Sequence, residues 1–117
     1  MNIKKNIAEI INKEANAMKA INITDAFEDA VNILFECKGR IVTTGIGKAG
    51  FMAHKFASTL SSTGTPAFFV HPAEAGHGDM GMIDGNDLIV AFSTSGKSTE
   101  VIEMLQIARD LGIHRVV

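Results

Sequence analysis

A chain of 117 residues, 46% hydrophobic and 21% charged, has the size of one globular domain with one core, which excludes two domains. Eleven Lys and Arg against thirteen Asp and Glu give a formal net charge of -2, leaving no electrostatic footprint for a nucleic-acid backbone or an anionic membrane. The single Cys37 forms no internal disulfide, Lys4, Lys5, Glu9, Lys13 and Glu14 interrupt any apolar leader, and no apolar run reaches the roughly 18 residues of a membrane span. These features predict a cytoplasmic protein with no nucleic-acid partner and no membrane partner.

From Ile3 to Ile21 the apolar residues Ile3, Ile7, Ile10, Ile11, Ala15, Met18 and Ile21 recur at three- and four-residue steps, which predicts an amphipathic helix. A second helix is expected from about Asp25 to Lys38, with Asp25 and Glu28 as a capping pair and Gly39 as a left-handed stop. Arg40 to Thr44 reads as a strand running into GIGKAG (45 to 50), after which a helix carries Phe51, Met52, Phe56, Ala57 and Leu60 toward the core. TGTP (63 to 66) breaks that helix, and the uniformly apolar AFFV (67 to 70) reads as a strand buried on both faces, as in a parallel sheet. A long polar, glycine-bearing connection (71 to 87) follows, of the kind that carries function in a compact domain.

LIVAF (88 to 92) is the third strand, STSGKS (93 to 98) a polar turn, Thr99 to Leu111 a helix closed by Gly112, and IHRVV (113 to 117) the start of a fourth strand. The alternation predicts an α/β fold with a doubly wound parallel sheet, preceded by two helices. Met18, Met52 and Met104 are read as core, and Met80 and Met82 as lining the long loop. Because the chain stops as a strand begins, residues 1 to 117 are expected to be the N-terminal part of a larger domain.

Three segments carry chemistry. GIGKAG fits G-x-G-x-x-G between a strand and a helix, where glycines let backbone amides approach a phosphate, but no acidic residue ends the next strand as a dinucleotide site requires. With Lys48 in the turn, a single phosphate or a polarised sugar oxygen is the better guest. AFSTSGKS (91 to 98) misses the nucleotide-triphosphate loop because Ala91 replaces its first glycine. What remains is Ser93, Thr94, Ser95 and Ser98 with amides at a helix start, a cradle for one phosphate. HPAEAGHGD places His71, Glu74, His77 and Asp79 within nine residues. Pro72, Gly76 and Gly78 deny these residues helical metal-ligand spacing, so acid-base work is preferred to metal binding. Glu100, in the first turn after the hydroxyl cradle, is either a partner of the helix dipole or a base within reach of a bound phosphate ester. Cys37 reads as a small apolar filler.

Taken together, GIGKAG, STGTPAFFVHPAEAGHGDMGMI and STSGKSTE resemble the sugar isomerase (SIS) domain, specifically the arabinose-5-phosphate isomerases, over residues 38 to 101. The resemblance implies a flavodoxin-like sheet and interconversion of D-arabinose 5-phosphate and D-ribulose 5-phosphate through an enediol, feeding synthesis of Kdo for lipopolysaccharide or capsule. It implies a homotetramer, no required cofactor, and zinc as an inhibitor. By position, Lys48 and Glu100 match residues the family treats as catalytic, His77 a histidine at the substrate, Gly64, Thr65 and His71 substrate contacts, and the serines of STSGKS the phosphate loop, with His71 also a candidate for inhibitory zinc. The candidate catalytic residues are thus Lys48, His77 and Glu100, and the candidate substrate contacts Gly47, Gly64, Thr65, His71, Glu74, Ser93, Thr94, Ser95 and Ser98. Three positions depart from the family's usual residues: Ala49 for Ser, Thr94 for Asn and Lys97 for Glu. The alternatives are a non-catalytic sugar-phosphate-binding module of the same fold and a nucleotide binder using the near-miss loop.

Overall fold

The computed structural model describes residues 1 to 116. Five α-helices, one 3-10 turn and four strands run in the order α1 (Ile3–Lys19), α2 (Asp25–Glu36), β1 (Ile41–Gly45), α3 (Gly47–Ser62), β2 (Ala67–Phe69), α4 (Pro72–Ala75), the 3-10 turn (Asp79–Met82), β3 (Leu88–Phe92), α5 (Thr99–Asp110) and β4 (His114–Val116). The predicted alternation is therefore borne out, with Val117 of the expected last strand outside the described residues. The long connection holds a short helix and a 3-10 turn where the sequence predicts only loop. All neighbouring strands are parallel, in the order β2-β1-β3-β4.

Consecutive strands on either side of β1 and β3 place the two crossover helices on opposite faces. One face buries Ile41, Leu88 and Val90 beneath Phe56 and Leu60 of α3 and Leu34 and Cys37 beside α2. The other buries Val42 and Ile89 beneath Met104 and Ala108 of α5, together with Ala75, Met80 and Ile83. β1 is buried throughout, and its two threonines spend their hydroxyls internally: Thr43 donates to the Ala53 carbonyl (2.8 Å) and Thr44 to the Val70 carbonyl (2.7 Å).

Several packing expectations need correcting. α3 meets the sheet with Gly50, Ala53 and Ala57, the small side of the helix, so Phe51 and Met52 turn outward and are exposed. Met18 is exposed as well, since α1 and α2 contain no buried residue, and the envelope is elongated at 54 × 29 × 26 Å. Met104 is core as expected; Met80 is also buried, whereas Met82 is exposed. Thr24 precedes α2 as its cap residue and makes no side-chain capping bond, so Asp25 and Glu28 serve the helix dipole from its first turn and do not form a capping pair. Gly39 is not left-handed. It is required because a side chain there would run into the Asn86 carbonyl, to which its own N–H donates (3.0 Å).

That close approach belongs to the amino-terminal edge of the sheet, which holds an ion pair, buried on its Asp87 side and partly exposed on its Arg40 side, that no local sequence signal announces. Asp87, 1% exposed, accepts from the Arg40 backbone N–H (2.7 Å), from the Arg40 guanidinium (3.2 and 2.6 Å) and from the Asp84 N–H (3.0 Å). The guanidinium also donates to the Met82 carbonyl (2.6 Å) and lies 4.8 Å from the centre of the Phe68 ring. Burial pushes the Asp87 carboxyl up, but the hydrogen bonds from Arg40 and Asp84 and the Arg40 charge outweigh it, so its pKa falls below the ordinary aspartate value.

Candidate active site

The chain after β1 and the chain after β3 turn to opposite faces of the sheet, which opens a crevice at the carboxyl ends of these adjacent strands. Gly45 ends β1 in register with Phe92 at the end of β3, so the GIGKAG and STSGKS turns lie side by side. Each glycine of the first turn has a local reason. A side chain on Gly45 would crowd the Phe92 carbonyl at 3.0 Å, one on Gly50 would meet the Gly45 carbonyl at 2.7 Å, and Gly47 takes a left-handed φ of 61°. Lys48, in the first turn of α3, is exposed.

The second turn is tied by its own hydroxyls. Ser93 Oγ accepts from the Gly96 N–H (2.9 Å), Ser95 Oγ accepts from the Lys97 N–H (3.0 Å), and the Ser93 and Ser98 hydroxyls stand 3.5 Å apart. Ser98 occupies the cap position of α5 yet makes no side-chain capping bond. The first amides of a 12-residue helix are thus left without a bond from the Ser98 side chain, and such amides are available to an anion. Thr94 is exposed in the same loop.

Glu100 and His77 come together. Both line a cleft of about 340 Å³ between α4 and α5, with Pro72, Ala73, Gly76, Glu103, Met104 and Ile107 as the other walls. Gly78 makes the turn after His77 possible with a φ of 117°. Glu74 and Asp79 are exposed on the same connection and line neither this cleft nor the second one. Glu103 had no place in the sequence reading, although its spacing of three from Glu100 sets both on one helix face.

His71 sits elsewhere. With Gly45, Gly47, Gly50, Phe51, His54 and Phe69 it lines a second hollow of about 190 Å³ on the glycine-turn side. His54 stacks on Phe69 with ring centres 3.6 Å apart, and His71 approaches the same ring edge-on at 6.4 Å. His54 was missed because nothing local marks it; only the fold brings Phe69 beneath it. Gly64 and Thr65 are not brought to either hollow. They lie in the α3–β2 connection, where the Pro66 carbonyl accepts from the Ile41 N–H (2.9 Å), at the amino-terminal edge of the sheet. The 16 residues of α3 span about 24 Å between the two edges. A third hollow of about 360 Å³, lined by Ile33, Cys37, Lys38 and Asn86 among others, also opens at that amino-terminal edge, remote from the helix starts and the two turns. Among the described residues no three His, Cys, Asp or Glu side chains converge to hold a metal, so zinc at His71 would lack a protein-built coordination shell.

A parallel sheet of order 2-1-3-4, with two glycine-bearing turns side by side at the carboxyl ends of β1 and β3, defines a doubly wound α/β domain. The SIS domain family matches residues 33–117, and the chain belongs to that family. It is 45% identical to the arabinose 5-phosphate isomerase KdsD of Pseudomonas aeruginosa over 97% of this chain, and 50% identical to KdsD of Francisella tularensis over 79% of it. It spans 37% and 29% of the lengths of those two relatives. Among solved structures, an Escherichia coli CFT073 protein in complex with arabinose 5-phosphate superposes with a TM-score of 0.84 at 36% identity, covering 98% of this chain and 64% of that one. A candidate phosphosugar isomerase involved in capsule formation from Bacteroides fragilis gives a TM-score of 0.92 at 42% identity, over 97% of this chain and 62% of the other.

Proposed function

We propose that this chain is part of an aldose-ketose isomerase that interconverts D-arabinose 5-phosphate and D-ribulose 5-phosphate through a cis-enediol. The observation that carries the reading is the single cleft that His77 and Glu100 share at the start of α5, directly after the hydroxyl-bearing turn. The phosphate anchors in the Ser93–Ser98 turn and fixes the C1–C2 unit against the acid-base groups. Glu100 takes the proton from one carbon and returns it to the other; His77 assists ring opening or protonates an oxygen, and Lys48 stabilises enediolate charge from the α3 side. Proton transfer of this kind needs no redox cofactor. The names of the Pseudomonas and Francisella relatives and the sugar-phosphate complex of the Escherichia coli neighbour support the substrate.

The same reading places the reaction ahead of Kdo synthesis for lipopolysaccharide or capsule, in the cytoplasm. Among the described residues no helix is long and apolar enough to cross a membrane. It also favours a homotetramer. Gly64 and Thr65 lie across the sheet from the cleft, so a substrate touched by both sets of residues needs two copies of the chain. The exposed apolar residues Ile3, Ile7, Ile10, Phe27, Phe35 and Phe51 supply surface for such association.

The test is an isomerase assay of the full-length protein on pentose and hexose phosphates. Formation of ribulose 5-phosphate from arabinose 5-phosphate is expected. Binding without turnover would identify a sensor, and turnover confined to hexose phosphates would overturn the substrate.

A further inference from the structure

We propose that Thr44 is a positioning residue for this reaction: its hydroxyl fixes the point at which the chain leaves β2, and with it the placement of His71 and His77. The inference rests on the isomerase reading above and deepens it. Thr44 is fully buried in β1, at a position where valine would fill the same space without a hydroxyl to satisfy. Its hydroxyl donates to the Val70 carbonyl at 2.7 Å.

That bond stands where the sheet releases the chain. Backbone bonds tie β2 to β1 from the Ile41 N–H on the Pro66 carbonyl to the Val70 N–H on the Thr43 carbonyl, both 2.9 Å. Pairing with β2 stops there, although β1 continues to Gly45 beside β3. The Val70 carbonyl, the last acceptor before the exit, is thus held by a side chain. Thr44 shares its face of β1 with Val42, the face that α5 covers, so the bond leans the exit toward that side. From Val70 to His77 the chain is tied by short-range bonds: His71 Nδ1 accepts from the Ala73 N–H (3.2 Å), the His71 carbonyl from the Ala75 N–H (3.0 Å) and the Glu74 carbonyl from the His77 N–H (2.9 Å). Ala75 is buried with Met104 and Ala108 of α5. His71 lines the hollow on the glycine-turn side and His77 lines the cleft with Glu100, so one exit serves both. A shift of Val70 is carried to both imidazoles, and a misplacement of about 1 Å is enough to slow a reaction between positioned groups by an order of magnitude or more.

The experiment compares variants of the full-length protein. Thr44→Val keeps the volume and loses the hydroxyl, whereas Thr44→Ser keeps the hydroxyl and loses a buried methyl. Both should melt lower. Per folded molecule, kcat/KM for arabinose 5-phosphate should fall about tenfold in Thr44→Val and stay within about threefold in Thr44→Ser. Modification of His71 and His77 by diethyl pyrocarbonate, mapped by mass spectrometry, should quicken several-fold in Thr44→Val. It should not do so in Thr43→Val, which loses the comparable bond to the Ala53 carbonyl (2.8 Å). If Thr44→Val does not fold, Thr44→Cys replaces it; its thiol is a weak donor, and a several-fold loss is expected. Histidine rates unmoved in the Val or Cys variant, equal losses of kcat/KM in that variant and Thr44→Ser, or an equal rise of the histidine rates in Thr43→Val overturns the proposal. If the unsubstituted protein does not convert arabinose 5-phosphate, the isomerase reading fails, while the histidine rates still decide whether Thr44 positions the segment.

Discussion

The two edges of the sheet use polar residues in opposite ways. At the amino-terminal edge one network is paired within the fold: Asp87 accepts from Arg40 and Asp84, Arg40 also donates to the Met82 carbonyl, and Gly39 lies against the Asn86 carbonyl. At the carboxyl edge Lys48 and Glu100 are exposed with no ion pair among the described residues, and Ser98 leaves its helix uncapped. A saturated network yields stability and no chemistry. An unsaturated one at a helix start yields binding capacity at a small cost in stability. Substitutions in the Asp87–Arg40 network should therefore act on folding, and those of Glu100 and Ser98 on turnover or ligand binding.

The largest effect should come from Glu100→Gln, which keeps size and hydrogen bonding but cannot accept a proton. Turnover of the full-length protein should fall on the order of a hundredfold with substrate affinity little changed, read by kcat and by exchange of the C2 proton into deuterated water. Near-normal exchange would move the base to His77 or to residues outside this chain. At the other edge, Asp87→Ala should cost about 2 to 3 kcal/mol in denaturant unfolding, because it strips the Arg40 and Asp84 donors of their shared acceptor.

The Asp87 effect has a defined pH sign. Its folded pKa is lowered, so its contribution is present above the unfolded aspartate value near 3.9 and is lost as pH falls through the folded value. Stability of the Asp87→Asn variant should accordingly depend less on pH in that acidic window than stability of the unsubstituted protein. Equal acid slopes would sink this account of the pair.

Gly47→Ala comes next, at about 1 to 2 kcal/mol, since φ of 61° is unfavourable for a side chain although the space beside it is open. The smallest stability change is expected at Ser98→Ala. A cap serine usually contributes about 1 kcal/mol, but here the capping bond is unmade, so the melting temperature should barely move while phosphate-ligand affinity drops several-fold. A melting shift as large as an ordinary lost cap would show that Ser98 stabilises the helix after all.

The strands and crossover helices were legible because their signals are local: β-branched and apolar runs bounded by glycine-bearing turns, and Gly112 closing α5 with a φ of 73°. Pairing between distant segments was not. Arg40 and Asp87 are 47 residues apart, and the His54–Phe69 stack depends on how α3 lies over β2. Periodicity also gave the faces of helices without saying which face is covered. It placed Met104 inside correctly, yet put Met18 and Met52 there although one lies on an uncovered helix and the other opposite the small-residue face of α3. In the site, His77 and Glu100 were singled out from separate segments and only the fold sets them in one cleft, whereas Gly64 and Thr65, adjacent in sequence to β2, fell at the wrong end of it for a one-chain site.

His71 ends β2's extension as the cap of α4, and its Nδ1 accepts from the Ala73 N–H at 3.2 Å. An imidazole engaged in that way keeps, when neutral, its proton on Nε2, so its free nitrogen is a donor and its natural guest is a lone pair on a sugar or phosphate oxygen. A zinc ion wants the reverse, an unprotonated nitrogen. Metal capture through Nε2 would force the tautomer to switch and release the Ala73 amide, so the first turn of α4 and the metal compete for one ring.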